Sequence, residues 1–169
     1  MAVKENADAI EFDVKLSADK KVVIIHDAKV DRTTNGVGNV SKQDLAELKE
    51  LDAGVKFSQE FAGERIPTLD EVFERFGNQI LMNVELTNYS TPFDDLVINV
   101  VELVKTYKLE NRIIFSSFLA RNLRIAQKLL PVIPSGLLAY SGWLGFFPRR
   151  FGSRSARAGS PPPSRRTRP

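Results

Sequence analysis

The sequence contains no cysteine and only one histidine, His26, in 169 residues. The first absence excludes a disulfide framework, a thiolate zinc site and a thiol nucleophile. The second means that any metal must be held almost wholly by oxygen. No apolar run approaches the roughly 18 residues that span a bilayer. The opening Met-Ala-Val-Lys-Glu-Asn has no signal-peptide h-region, so the expectation from the sequence as it stands is a cytoplasmic protein with no membrane span. Acidic residues are missing from everything after Glu110, whereas the last 24 residues hold seven arginines. The net charge of +3 is therefore uneven: that tail carries all of the excess, and seventeen basic against 21 acidic residues leave the body at −4. The body has no basic stripe with interleaved aromatics, and a short arginine-rich tail offers only non-specific phosphate attraction, so specific nucleic-acid binding is not expected.

What remains is 43% apolar, enough at this length to bury the core of one domain. Residues 7–14 alternate in the period-2 manner of a strand, with Ile10, Phe12 and Val14 on one face and Glu11 and Asp13 on the other. After the turn cluster of residues 17–21, Val22-Val-Ile-Ile25 reads as a second strand tipped by His26 and Asp27. Residues 31–39 form a glycine-bearing loop, and Ser41 with Asp44 opens a helix through Leu51 in capping-box style. Thr68 and Glu71 make a second box for a helix over 69–76, closed by Gly77. Strands are then expected at 80–86, 112–118 and 133–139. Helices are expected at 92–107, with Phe93, Leu96, Val97, Val100, Val101 and Val104 inward, and at 120–130. Alternating strands and helices imply βαβ units and a parallel sheet. Residues 1–145 form this domain, and 146–169, rich in Arg, Pro and Ser, read as a disordered tail.

Functional groups of parallel α/β folds gather at the C-terminal ends of strands. Here Glu11, Asp13, His26, Asp27, Asn83, Glu85, Ser116 and Ser117 all stand near such ends. Three carboxylates brought together would repel strongly unless a cation neutralised them, and an all-oxygen set suits calcium or magnesium. Taken singly, each motif has an ordinary reading. Glu-x-Asp fits the solvated face of an edge strand, and Asn35-Gly36-Val37-Gly38 matches no nucleotide-binding loop.

Order and spacing say more than any single motif. Ala7-Asp-Ala-Ile-Glu-Phe-Asp-Val14, Val22-Val-Ile-Ile-His-Asp27, Asp31-Arg-Thr-Thr34 with Gly36 and Gly38, Ile66-Pro-Thr-Leu-Asp-Glu-Val72 and Asn83-Val-Glu-Leu86 together resemble the glycerophosphodiester phosphodiesterase family. The resemblance covers roughly residues 7–140. It implies a (β/α)8 TIM barrel with the site at the C-terminal strand ends, and one divalent cation, Ca2+ or Mg2+, held by Glu11, Asp13 and Glu85. His26 would be one of two acid/base histidines. The implied reaction splits a small-molecule glycerophosphodiester into an alcohol and glycerol 3-phosphate, as in glycerophospholipid metabolism.

Three departures from the family pattern qualify this expectation. The family's first strand ends in His-Arg-Gly, which nothing ahead of Ala7 supplies, so His26 has no second histidine. Thr87 stands where the family's Glu-x-Lys pattern has its lysine, removing one positive charge. Only about five of eight strands are counted. The sequence therefore suggests an incomplete barrel, a fragment with impaired activity. The alternative is a catalytically inactive homologue that binds a divalent ion or a phosphodiester without hydrolysis.

Overall fold

The computed structural model describes residues 5–139, so the expected tail at 146–169 and the boundary before it lie outside the described residues. Five strands form one sheet in the order β2-β1-β3-β4-β5: β1 (Ala9–Leu16), β2 (Val22–Ile24), β3 (Leu81–Leu86), β4 (Ile113–Ser117) and β5 (Ser135–Leu137). The four strands β1, β3, β4 and β5 pair in parallel, in the βαβ manner the alternation implies. The second strand does not. It runs antiparallel to β1, with Val14 opposite Ile24 and Leu16 opposite Val22. The reason is length: only Ser17–Lys21 separate the two strands, too few for a crossover and enough for a hairpin. Lys20 takes a left-handed φ of 63° in that turn, and the Ser17 hydroxyl accepts the Lys21 N–H at 2.9 Å. The outer edge of β2 is covered in turn, since Ile24 donates its N–H to the Pro67 carbonyl at 2.9 Å.

The strands divide their side chains by the pleat. Val14 and Leu16, Met82, Val84 and Leu86, and Ile113 and Phe115 face a layer of helices and are buried. That layer is α2 (Leu69–Phe76), α3 (Leu96–Tyr107) and α4 (Ala120–Leu129), contributing Leu69 and Phe73, a stripe from Leu96 to Val104, and Leu123 and Ala126. The stripe recurs at helical spacing because one face of α3 lies on the sheet. Phe93 does not join it. α3 begins only after Asp95, and Phe93 is 81% exposed, with the Arg121 guanidinium 5.0 Å from its ring. No helix among the described residues is long and apolar enough to cross a membrane.

A second, smaller apolar cluster lies under the long segment between β2 and α2. Val23, Ile25, Val30, Val40, Leu48 and Ile66 are buried together there. The single helix expected from Ser41 is split. Val40–Lys42 is one 3-10 turn, Gln43 is extended, and α1 (Leu45–Glu50) starts at Asp44, whose N–H is accepted by Glu47 at 2.8 Å. The capping pair is thus Asp44 and Glu47. The Thr68–Glu71 box stands where the spacing puts it, with hydrogen bonds of 2.8 and 3.2 Å. Gly54 is required by close approach, because a Cβ there would lie 1.8 Å from the Phe61 carbonyl oxygen.

The sheet-to-helix interface carries the stability. Phe115, 1% exposed, sits at its centre, and Phe115→Ala is expected to lower the unfolding free energy by about 3–5 kcal/mol. Urea denaturation would show this as a lowered midpoint, whereas a loss below about 1 kcal/mol would mean that the core lies elsewhere.

Candidate functional site

The opposite face of the sheet carries Glu11, Asp13 and Lys15 from β1, Asn83 and Glu85 from β3, and Ser116 from β4. Parallel register sets Glu11 beside Asn83 and Asp13 beside Glu85. One carboxylate oxygen from each of Glu11, Asp13 and Glu85 can be chosen so that all lie within 4.8 Å of one another. This crowding is electrostatically unfavourable. Glu11 and Asp13 are both pushed above the ordinary carboxylate range, first by partial burial and then by the neighbouring acids, with His26 opposing. An all-oxygen set under mutual repulsion fits a hard divalent cation, which would relieve the repulsion and accept those donors.

His26 follows β2 and lines an open cleft of about 340 Å³ together with Glu11, Asp13, Thr33, Ile66 and Pro67. Its ring is mostly exposed, and its Nδ1 lies 2.7 Å from Asp27 Oδ1. Asp27 is itself clamped by Arg32 at 2.6 and 3.0 Å. The two hydrogen bonds from Arg32 and the contact with His26 hold the Asp27 carboxyl far below its usual range, so it stays an anion.

Not every expected residue joins the site. Ser116 does, donating to Asn83 Oδ1 at 2.9 Å. Ser117 turns to the helix side and is fully buried, its hydroxyl donating to the Leu86 carbonyl at 2.7 Å. Two groups escaped the sequence reading. Lys15 is 8% exposed, and its ammonium donates to the Thr87 carbonyl at 3.1 Å and the Thr87 hydroxyl at 2.6 Å. Burial lowers its pKa, against the opposing pull of Asp13 and Glu85. A cation therefore sits on Thr87 itself, contributed by the adjacent strand, where the sequence suggested a lost charge. The period-2 series Glu11, Asp13, Lys15 was the available signal. The other is Tyr89, whose hydroxyl donates to Glu85 Oε1 at 2.7 Å. It lies beyond the end of β3, where no strand periodicity could point to it.

Comparison with known proteins identifies the family. The glycerophosphoryl diester phosphodiesterase family profile matches residues 1–142. A glycerophosphodiester phosphodiesterase from Caldanaerobacter subterraneus subsp. tengcongensis is 45% identical over 142 residues, 83% of this chain and 58% of that protein. Among solved structures, an Oleispira antarctica phosphodiesterase in complex with the product sn-glycerol-3-phosphate superposes with a TM-score of 0.74 at 36% identity, covering 84% of this chain and 60% of that one. A glycerophosphodiester phosphodiesterase from Agrobacterium tumefaciens gives 0.72 at 32% identity, covering 79% and 55%. The chain thus spans a little over half the length of these relatives, and among the described residues the parallel strands β1, β3, β4 and β5 form part of an α/β barrel, which the antiparallel β2 flanks. By sequence, fold and the order of its motifs, the chain belongs to the glycerophosphoryl diester phosphodiesterase family.

Proposed function

We propose that this chain carries the metal-binding and proton-donating half of a site that hydrolyses glycerophosphodiesters to an alcohol and glycerol 3-phosphate. The observation that carries the reading is the convergence of Glu11, Asp13 and Glu85 within 4.8 Å, with His26 on the cleft lined by the first two. Glu11, Asp13 and Glu85 would hold one divalent cation, calcium or magnesium, through carboxylate oxygens. Bound there, such an ion supplies Lewis-acid polarisation of a non-bridging phosphate oxygen and offsets charge accumulating during phosphoryl transfer.

The chain's own groups do the rest. Asp27, locked by Arg32, accepts from His26 Nδ1 and so leaves Nε2 as the ring atom available to a substrate. Protonated, His26 gives its Nε2 proton to the departing alkoxide oxygen as that phosphorus–oxygen bond breaks, while a water oxygen bonds to phosphorus in its place and gives up a proton to solvent, so that the alcohol leaves neutral and the phosphate stays on glycerol. Lys15 adds a fixed positive charge on the same face, held by Thr87. The substrate class is supported by the family and by the product bound in the Oleispira antarctica neighbour. A second reading, binding without turnover, is supported by one observation: His26 is the only imidazole in the sequence.

Release of glycerol 3-phosphate from glycerophosphocholine by the purified chain, with calcium or magnesium against a chelator, separates the two. Metal-dependent release that falls about 10²–10⁴-fold in His26→Ala is the expected result. Absence of release from folded protein that still binds the ion leaves binding without turnover.

Metal binding itself is read by melting temperature. Calcium or magnesium is expected to raise it by mass action, and Glu85→Ala to abolish the rise; an equal rise in the variant would overturn the site. The pH dependence has a definite sign. Glu11 and Asp13 titrate above their unfolded values, so their ionisation opposes folding; that penalty is present at neutral pH and is relieved as pH falls through the folded values. Protons also compete with the cation for the same oxygens. The cation-induced rise is therefore expected to be larger near about pH 7.5 than near about pH 4.5, and a rise independent of pH would contradict these ligands.

A further inference from the structure

Of the three clustered carboxylates, Glu85 has a side-chain partner of its own from outside the cluster. The Tyr89 hydroxyl donates to Glu85 Oε1 at 2.7 Å, a length typical of a charge-assisted O–H···O⁻ bond. The phenol is held from two further directions. Its oxygen accepts the backbone N–H of Phe118 at 3.2 Å, and its ring meets the Phe118 ring edge-on, with centroids 6.0 Å apart. Phe118 immediately follows β4, so Tyr89 ties the carboxylate on β3 to the segment that leads into α4.

We infer that Tyr89 is a positioning residue for the cation site: it fixes the Glu85 carboxylate in one orientation, with Oε1 engaged by the phenol. The inference rests on the metal-binding reading of Glu11, Asp13 and Glu85 and deepens it. An unrestrained glutamate has three side-chain torsions to order when it takes up an ion, whereas one already held by a bond from an anchored ring loses less freedom on binding. The phenol also disperses part of the Glu85 charge in the ion-free state, where the facing Asp13 would otherwise drive the two carboxylates apart. Hydrogen-bond partners that orient a metal ligand typically change affinity by about 10–100-fold when removed. Tyr89 is not a proton donor in the reaction, since its proton is committed to Glu85.

The test is titration calorimetry of the full chain with calcium and with magnesium, on the unaltered protein, Tyr89→Phe, Glu85→Gln and the double variant. Tyr89→Phe keeps the ring against Phe118 and removes only the hydroxyl, so the ion-free melting temperature is expected to stay within about 2 °C. Affinity for the ion is expected to fall about tenfold or more. In the Glu85→Gln background, where the amide oxygen accepts only a neutral hydrogen bond, removing the hydroxyl is expected to cost less affinity than in the unaltered chain, because the bond acts through the charge of that carboxylate. Ion affinity in Tyr89→Phe equal to that of the unaltered chain overturns the inference alone. An affinity loss that persists undiminished in the Glu85→Gln background also overturns it, by showing a general structural role. Absence of binding by the unaltered chain overturns the metal reading and this inference with it.

Discussion

The parallel pairing of β1 with β3 sets Asp13 opposite Glu85, and the rest of the site is arranged around the charge this pairing concentrates. Nothing in the carboxylates favours their meeting, since both burial and mutual repulsion oppose it. What holds them together is the other face of the same two strands. Val14, Met82, Val84 and Leu86 are buried against α2 and α3, and a slip of one residue would turn them out and the acids in. The apolar core thus sets the register, and the site inherits a geometry that its own electrostatics would not choose.

Several polar groups at the site are steadied by a neighbouring residue. Glu85 has Tyr89, Asn83 has Ser116, and Lys15 has the carbonyl and hydroxyl of Thr87, which in turn donates to Val14. His26 has Asp27, and Asp27 has Arg32. The pattern is one of preorganisation, in which charges are held before any ligand arrives and less freedom is lost on binding. The long segment between β2 and α2 belongs to it as well. Its own buried cluster, with Val40, Leu48 and Ile66, allows a segment with little regular structure to form one wall of the cleft.

Legibility followed the range of the interactions involved. The alternation of Ile10, Phe12 and Val14 with Glu11 and Asp13 was readable because a strand's two faces are a local property. The Thr68–Glu71 box was readable because its partners lie three residues apart. The direction of β2 is a local property too, because the five residues before it are too few for a crossover. Helical spacing alone places Phe93 on the buried stripe, but α3 begins only after its cap Asp95, so Phe93 lies outside it. Tyr89 was out of reach: its importance comes from Glu85, four residues before it, and Phe118, 29 residues after it, meeting in space.

The sequence by itself determined which residues could form a chemical site, because the types of side chain able to bind a hard cation or move a proton near neutral pH are few and stand here in a recognisable order. It also determined which face of each strand is apolar, since that follows from a period of two. Tertiary structure alone decided which carboxylates meet, which cation stands beside Thr87, and which phenol holds Glu85. Those contacts join residues from different strands and loops, and their distances depend on strand register and on the closing of chain segments over the sheet, neither of which any local stretch of sequence encodes.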